Sequence, residues 1–195
     1  MIRPIDSVTA PQFVIFDLEF TAWEGSLARH WLALGEFKEV VQIGAVRLGH
    51  DFTAPESFNC LVRPRINPRL SDYFESLTGI SDHRLSAEGV DFEEAYRRFL
   101  AFAGDSVIAA FGRDDWVLEE NIRLYGLKDV PPLPPFRNLR DWFDVQGFDT
   151  SRLHSCDIGP LLGVPFEGRE HDALCDARSI AAGMAVLLKR GAKLW

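Results

Sequence analysis

The sequence has few cysteines, no long apolar segment and no excess of positive charge, and each shortage excludes a class of protein. Its 195 residues include three cysteines, Cys60, Cys156 and Cys175. These are too few and too scattered for a disulfide framework or a Cys-x-x-Cys metal clip, so we expect reduced thiols in a cytoplasmic setting. We also expect no membrane segment, because no run is apolar for long enough to cross a bilayer and residues 1–11 lack a signal-peptide core.

The balance of charge limits the kind of anionic partner. The formal net charge is -8 at pH 7, which argues against a protein that coats long stretches of nucleic acid, because such binding neutralises many phosphates with Lys and Arg. A small or end-bound anionic substrate is compatible with this charge if metal ions supply the positive charge.

Size and pattern predict one α/β domain. A chain of 195 residues, 47% of them hydrophobic, can bury one sizeable core, so we predict an N-terminal tail over residues 1–11 and a single domain over residues 12–195. Strand and helix signals alternate, which predicts helices packed on a sheet. The expected strands are 13–16, 39–48, 57–64 and 106–111, with weak evidence for another after the proline-rich residues 130–135, and the expected helices are 91–104, 114–126 and 172–191.

Two acids follow the first buried strand. Residues two apart project from the same face of a strand, so Asp17 and Glu19 point together. Paired carboxylates repel unless a cation lies between them, and such oxygen ligands suit Mg²⁺ or Mn²⁺. An isolated Asp-x-Glu is more often only the solvated end of a strand, so further acids are needed to support a metal site.

Two other segments bring acids towards the same region. Asp114 and Asp115 follow the strand 106–111, where ligands gather in parallel sheets; we expect one of them to cap the next helix and the other to reach the cleft. His171 stands just before the last helix and Asp176 lies inside it. Each has an ordinary alternative as a surface imidazole or a paired helical acid, although an inward Asp176 needs a partner such as a metal.

Together these segments resemble the DEDDh 3′→5′ exonucleases of the DnaQ-like, RNase H-like superfamily. "FDLEFT" looks like the first motif, "FGRDDWVLEENI" like the second and "REHDALCDARSIA" like the third, in which His171 stands five residues before Asp176. The similarity extends from about Gln12 to Lys189. It is strongest to the enhanced-RNAi-like and KapD-like branch, which "EVVQIGAVRL" and "FNCLVRPRINPRLSDYFESLTGIS" also resemble.

The resemblance implies a fold and a metal site. It predicts a mixed five-stranded sheet with the second strand antiparallel, helices on both faces, and two divalent ions, Mg²⁺ or Mn²⁺. Asp17 would bridge both ions, Glu19 would ligate one, and Asp176 would ligate the more tightly held ion. For the second motif we choose Asp115, because the apolar residue after it matches the family pattern, and keep Asp114 as the alternative.

The resemblance also predicts the reaction and the substrate. The ions would activate water and stabilise the leaving 3′ oxygen, while His171 takes the proton from the water, so that nucleoside 5′-monophosphates are released from a 3′ end. The expected substrate is single-stranded or overhanging RNA or DNA. Residues expected to hold the terminal nucleotide are Phe20, Thr21, Trp23 and Leu77.

Two questions stay open at this level. The first is whether the chain is an active enzyme or a catalytically idle module of the same fold that binds a nucleic-acid end or a protein. The second is whether the long insertion Trp23 to Glu39 forms a lid over the site or a packed helix.

Overall fold

A mixed five-stranded sheet forms the centre of the computed structural model, which describes residues 13–194. The predicted tail over residues 1–11 therefore lies outside the described residues. The sheet has the order β3-β2-β1-β4-β5; β2 runs antiparallel to β1 and β3, whereas β1, β4 and β5 are parallel. This confirms the predicted sheet. The strands are β1 Phe13–Phe20, β2 Val40–Leu48, β3 Glu56–Leu61, β4 Val107–Ala110 and β5 Phe136–Asn138.

Seven helices accompany the sheet in the described part of the chain. The three longest, α3, α4 and α7, correspond to the three predicted helices. The other four have seven residues or fewer, which is too short for the repeated apolar spacing that reveals a helix in a sequence. The helices are α1 Asp72–Thr78, α2 Asp82–Glu88, α3 Phe92–Ala103, α4 Asp114–Leu124, α5 Leu139–Val145, α6 Ile158–Leu161 and α7 Ala173–Lys189, with a 3-10 turn at Ser155–Asp157.

Helices cover both faces of the sheet, which explains the continuous apolar run in β1. Phe13 and Ile15 pack into a core with α5, α6 and α7. Val14 and Phe16 point the other way, into a core with α3 and α4. Because alternate residues of a strand lie on opposite faces, a strand that is covered twice must be apolar at every position. Asp17 and Glu19 continue the alternation on the α7 side.

The start of α7 lies directly on β2. Gly44 faces the first turn of α7 so closely that a Cβ at this position would stand 2.2 Å from the Leu174 amide nitrogen. The buried side chain of Gln42 accepts a hydrogen bond from the Ala173 amide (3.0 Å) and donates one to Asp172 Oδ2 (3.1 Å). Gln42 and Gly44 pair with Glu19 and Asp17 of β1. The third motif is thereby placed beside the first.

The start of α4 differs from the prediction. Arg113 occupies the N-cap position and no side chain caps this helix end, so the expected aspartate cap is wrong. Trp116 is 56% exposed, and the Arg113 guanidinium lies 3.6 Å from its ring centroid. The buried residues of α4 are Asp115, Val117, Leu118 and Asn121.

Two further expectations concern the cysteines and the membrane. All three cysteines are free thiols, and Cys60 is buried. Within residues 13–194, no helix combines the length and apolar character that a bilayer-spanning helix needs.

Candidate active site

Four carboxylates and two imidazoles, those of His154 and His171, line a single cavity of about 410 Å³ at the carboxyl end of β1. Asp17 and Glu19 come from β1, Asp114 from the first turn of α4, Asp176 from α7 and His171 from the turn before α7. Asp17 and Glu19 are only 9% and 8% exposed, so their charges face the cavity. The structure therefore brings three predicted motifs together from segments far apart in the chain.

Of the two second-motif acids, the structure places the alternative, Asp114, in the cavity and the chosen Asp115 outside it. Asp115 is buried on the other side of the helix start, where its carboxylate pairs with the Arg113 guanidinium at 2.6 Å. It does not line the cavity, whereas Asp114 does. The Asp114 charge also raises the pKa of Asp17, second only to burial, so the two carboxylates are close. By its position in the cavity, Asp114 is the better candidate for the second-motif ligand.

Only one of the two carboxylate oxygens of Asp176 has a hydrogen-bond partner in the described part of the chain. Its Oδ2 accepts a hydrogen bond from the His171 backbone N–H (3.2 Å). Its Oδ1 is buried and has no hydrogen-bond partner in the described part of the chain. Ligand atoms of Glu19, His171 and Asp176 all lie within 4.8 Å of one another. A buried carboxylate oxygen without a donor is costly, and a divalent cation is a partner that would satisfy it. The residues present thus fit a metal site.

Crowding of the carboxylates shifts their ionisation. Burial, followed by the Asp114, Glu19 and Asp176 charges, raises the pKa of Asp17 well above its ordinary value. Burial, followed by the Asp176 and Asp114 charges, does the same to the pKa of Glu19. Burial is also the main cause that raises the pKa of Asp114 and of Asp176 to about 7. A cluster that resists ionisation in this way attracts cations, because a cation removes both the repulsion and the cost of burial.

His171 is held in a backbone conformation that few residues adopt. Its φ is 59°, in the left-handed region, which costs free energy for a residue with a Cβ and is tolerated where the surroundings enforce it. Its side chain is half-buried. Burial first, and the nearby His154 second, lower the pKa of the imidazole. A neutral imidazole is the form that can accept a proton.

Ser155 is a site residue that was not predicted from the sequence. Its Oγ donates a hydrogen bond to Asp17 Oδ1 at 2.8 Å, across 138 positions of the chain. It lies in the 3-10 turn before α6, together with Cys156, and both line the cavity next to His154. No acidic or glycine-rich motif marks this segment. The available signal was weak, a serine in a short polar stretch between two apolar ones.

Three of the four residues predicted to contact substrate line the cavity. Phe20, Trp23 and Leu77 do so, but Thr21 does not. Thr21 is 2% exposed; its hydroxyl donates to the Phe37 carbonyl and accepts from the Glu39 amide. Its side chain thus closes the base of the insertion and has no free face for a substrate.

The insertion between β1 and β2 forms turns and no helix. Trp23, Ser26, Leu27 and Trp31 from this segment line the cavity. The Trp31 indole N–H donates to the Thr21 carbonyl (2.8 Å), and the Lys38 ammonium lies 4.7 Å from the Trp31 ring centroid. Of the two possibilities left open by the sequence, the packed helix is excluded, and the insertion supplies one wall of the site.

Comparisons with known proteins agree with this geometry. The exonuclease family model RNase_T matches residues 14–183, which is most of the chain. A comparison with curated proteins gave no match. Among solved structures, the nuclease domain of 3′hExo, a DEDDh family member bound to rAMP, superposes with a TM-score of 0.81 at 25% identity, covering 98% of each chain.

More distant structures share the fold. Cell-death related nuclease 4 (CRN-4) has a TM-score of 0.74 at 22% identity, with 94% of this chain and 65% of that chain covered. An E. coli ExoI–ssDNA complex has a TM-score of 0.67 at 14% identity, with coverage of 93% and 41%.

The chain therefore belongs to the exonuclease family, as the sequence predicted. It is a nuclease, a hydrolase of phosphodiester bonds. Its fold is RNase H-like, and its motifs are of the DEDDh type. Exonucleases of this kind use divalent metal ions, which accords with the carboxylate cluster and with Asp176 Oδ1.

Proposed function

We propose that the chain is a 3′→5′ exonuclease that removes nucleotides one at a time from unpaired 3′ ends of RNA or DNA. In this proposal residues 12–195 act as one catalytic domain. The observation that carries it is the meeting of Asp17, Glu19, Asp114 and Asp176 with His171 in one cavity. A volume of about 410 Å³ is in the range of small-ligand pockets, roughly 300–1,000 Å³, and suits a single terminal nucleotide.

The four carboxylates are proposed to hold two divalent ions, Mg²⁺ or Mn²⁺. Asp17, with acidic neighbours on several sides, is the candidate to serve both ions, and Glu19, Asp114 and Asp176 complete the set of ligands. Bound there, the ions would lower the pKa of a water molecule and neutralise negative charge on the phosphate and on the leaving oxygen. An acidic chain can in this way accept a polyanion at one end without a basic surface.

His171 is the proposed general base. Its lowered pKa keeps the imidazole neutral near pH 7, and its place on the cavity wall lets it accept a proton from the attacking water. The water oxygen then bonds to phosphorus and the bond to the 3′ oxygen of the penultimate nucleotide breaks. That oxygen takes a proton from solvent, and the terminal nucleotide leaves as a nucleoside 5′-monophosphate.

Apolar walls are proposed to hold the terminal base. Phe20, Trp23 and Leu77 line the cavity, and aromatic and aliphatic surfaces bind any base through its flat face, without reading sequence. The related 3′hExo domain was solved with rAMP and the E. coli ExoI with ssDNA, which supports an end-binding mode for this chain. Thr21 makes no contact with the nucleotide in this proposal, because its hydroxyl, its amide and its carbonyl are already hydrogen-bonded.

The decisive experiment follows 5′-labelled RNA and DNA, each with a 3′ overhang, in Mg²⁺, in Mn²⁺ and in EDTA. We expect a metal-dependent ladder that shortens from the 3′ end, and its loss in Asp17→Asn. Glu56→Gln, an exposed acid on β3, is the matched control and should behave as the unchanged protein. Metal-independent binding without cleavage would instead favour the idle module that binds nucleic-acid ends.

A further inference from the structure

The turn that carries His171 is tied to α1 by Arg169. The Arg169 guanidinium Nη2 donates hydrogen bonds to the carbonyl oxygens of Ser76 (2.8 Å) and Leu77 (3.3 Å). These carbonyls belong to the last turn of α1, where backbone acceptors have no partner inside the helix. Arginine at the end of a helix satisfies such acceptors and interacts favourably with the helix dipole.

Gly79, which ends α1, leaves the space that the guanidinium needs. It has φ 73°, and a Cβ at this position would lie 2.7 Å from Arg169 Nη1 and 2.8 Å from its central carbon. A residue with a side chain would therefore displace the arginine even if it accepted the left-handed backbone. The glycine and the arginine form one contact, although 90 positions separate them.

The far side of the same turn is fixed by other groups. Asp172 caps α7 by accepting from the Leu174 and Cys175 amides, and the His171 amide donates to Asp176. The Asp172 amide also donates to the Arg169 carbonyl at 3.3 Å. A residue at φ 59°, such as His171, stays there only if both sides of the turn are held. Arg169 supplies the side-chain contacts on the side nearer to α1.

Within residues 13–194, no cluster of buried hydrophobic residues joins residues 169–172 to α1. Between them lies an open groove of about 550 Å³, lined by Tyr73, Ser76, Leu77, Arg169, Glu170 and His171. Three of these residues, Tyr73, Leu77 and His171, also line the active-site cavity. The distance between the wall of the cavity and the imidazole therefore depends on the Arg169 hydrogen bonds.

We infer that Arg169 is a positioning residue that fixes His171 relative to the Leu77 wall. The inference rests on the proposed function, in which Leu77 contacts the terminal nucleotide and His171 accepts the proton. A nucleotide that packs against Leu77 of α1 is then held at a fixed distance from the His171 imidazole, so that the imidazole can reach the attacking water. Arg169 itself touches neither the substrate nor the reacting atoms.

The test measures kcat and KM on a short single-stranded oligonucleotide for Arg169→Ala, alone and combined with His171→Ala. If Arg169 acts through His171, we expect Arg169→Ala to lower kcat by about tenfold or more with KM changed less than about threefold, and to add less than about twofold to the loss in His171→Ala. Free guanidinium should restore part of the Arg169→Ala loss, and it should restore nothing in the double variant.

Matched variants separate positioning from folding. Arg98→Ala removes an exposed arginine and its pair with Glu94 on α3, and should keep the original kcat. Gly79→Ala keeps the arginine but fills its space, so it should reproduce the loss in kcat even if Arg169→Ala folds poorly. The melting temperature of each variant shows whether the chain is folded at the assay temperature.

Three outcomes would overturn the inference. A rise in KM with unchanged kcat would make Arg169 a strand-binding residue. Equal losses in the presence and absence of His171 would show that Arg169 does not act through the imidazole. An Arg169→Ala variant with the original kcat and KM would show that the turn holds itself. Failure of the proposed function is distinct from these, since the unchanged protein would then not shorten the oligonucleotide in Mg²⁺ or Mn²⁺; failure of the His171 role alone would leave His171→Ala with full activity.

Discussion

Gly44 of β2 and Ala173 of α7 are in such close contact that a Cβ on the glycine would stand 2.2 Å from the Ala173 carbonyl carbon. Gly44 is also the β2 partner of Asp17. This one position of the sheet therefore determines how closely α7 approaches β2, and it lies beside Asp17, the first-motif acid. The missing side chain lets Asp176 and His171 approach Asp17 and Glu19.

Gly44→Ala should lower both stability and activity. The added methyl forces α7 away from β2, and overpacking of this kind costs roughly 1–3 kcal/mol. We expect a lower urea midpoint together with a loss of kcat, because the carboxylates separate. Gly126→Ala is the matched control: its φ is 63° and nothing lies within 4 Å of an added Cβ, so it should destabilise the fold through the backbone while kcat stays unchanged. Equal activity of the two variants would contradict the proposed role of this contact.

Asp114→Asn should lower kcat far more than Asp115→Asn. Asp114 faces the other carboxylates, so its neutralisation removes a proposed metal ligand, and we expect kcat to fall by about a hundredfold or more. Asp115 bonds to Arg113 outside the cavity. Replacing its carboxylate by an amide should change kcat by less than about threefold. Single-turnover rates at saturating Mg²⁺ measure both. A larger loss for Asp115→Asn would restore the original reading of the second motif.

Without metal, the protein should become less stable as the pH rises through neutrality. The folded-state pKa values of Asp114 and Asp176 are raised to about 7 from an ordinary 3.8. Between these values the folded state binds more protons than the unfolded state, so stability falls with increasing pH. Urea midpoints in EDTA from about pH 4.5 to about 8 cover most of this interval, and above the folded-state pKa values the midpoint should level off.

Added Mg²⁺ or Mn²⁺ should reverse most of that loss at pH 8, because a cation replaces the protons. Asp114→Asn should flatten the slope in EDTA. Asp115→Asn should reduce it less, because it removes only one of the charges that raise the pKa of Asp114. A midpoint that rises with pH in EDTA would show that the cluster ionises without penalty.

The sequence was sufficient for those features that depend on local pattern. The alternation in β1 placed Asp17 and Glu19 on one face, and the third-motif spacing placed His171 just before the last helix and Asp176 in its first turn. The choice between Asp114 and Asp115 could not be made in the same way, since adjacent residues of a helix differ by about 100° in direction and the cap expected there is absent. That choice depends on how α4 is rotated against the sheet.

Contacts between distant segments were also beyond the reach of pattern. Ser155 reaches Asp17 only because α6 packs on α7 and brings the preceding turn to the end of β1. The Arg169 guanidinium reaches the Ser76 carbonyl only because the last turn of α1 and the turn before α7 lie on two sides of one groove. Single serines and arginines carry no periodic signal, so their roles are visible only when the chain is folded.

Ser155→Ala should weaken metal binding through Asp17. The hydroxyl fixes Asp17 Oδ1 and its hydrogen bond lowers the pKa of that carboxyl, against the burial that raises it. Loss of a partner that orients a metal ligand typically costs about 10–100-fold in affinity or activity. Titration calorimetry with Mn²⁺ should show this loss, and the pH needed for binding should rise because Asp17 then ionises less readily.

Ser155→Thr, which keeps the hydroxyl, should retain most of the affinity, and Ser151→Ala, on an exposed serine, should retain all of it. If Ser155→Ala bound Mn²⁺ as tightly as the unchanged protein at every pH, the hydrogen bond would be incidental to the site. The orientation of Asp17 would then have to come from β1 and its register with β2 alone.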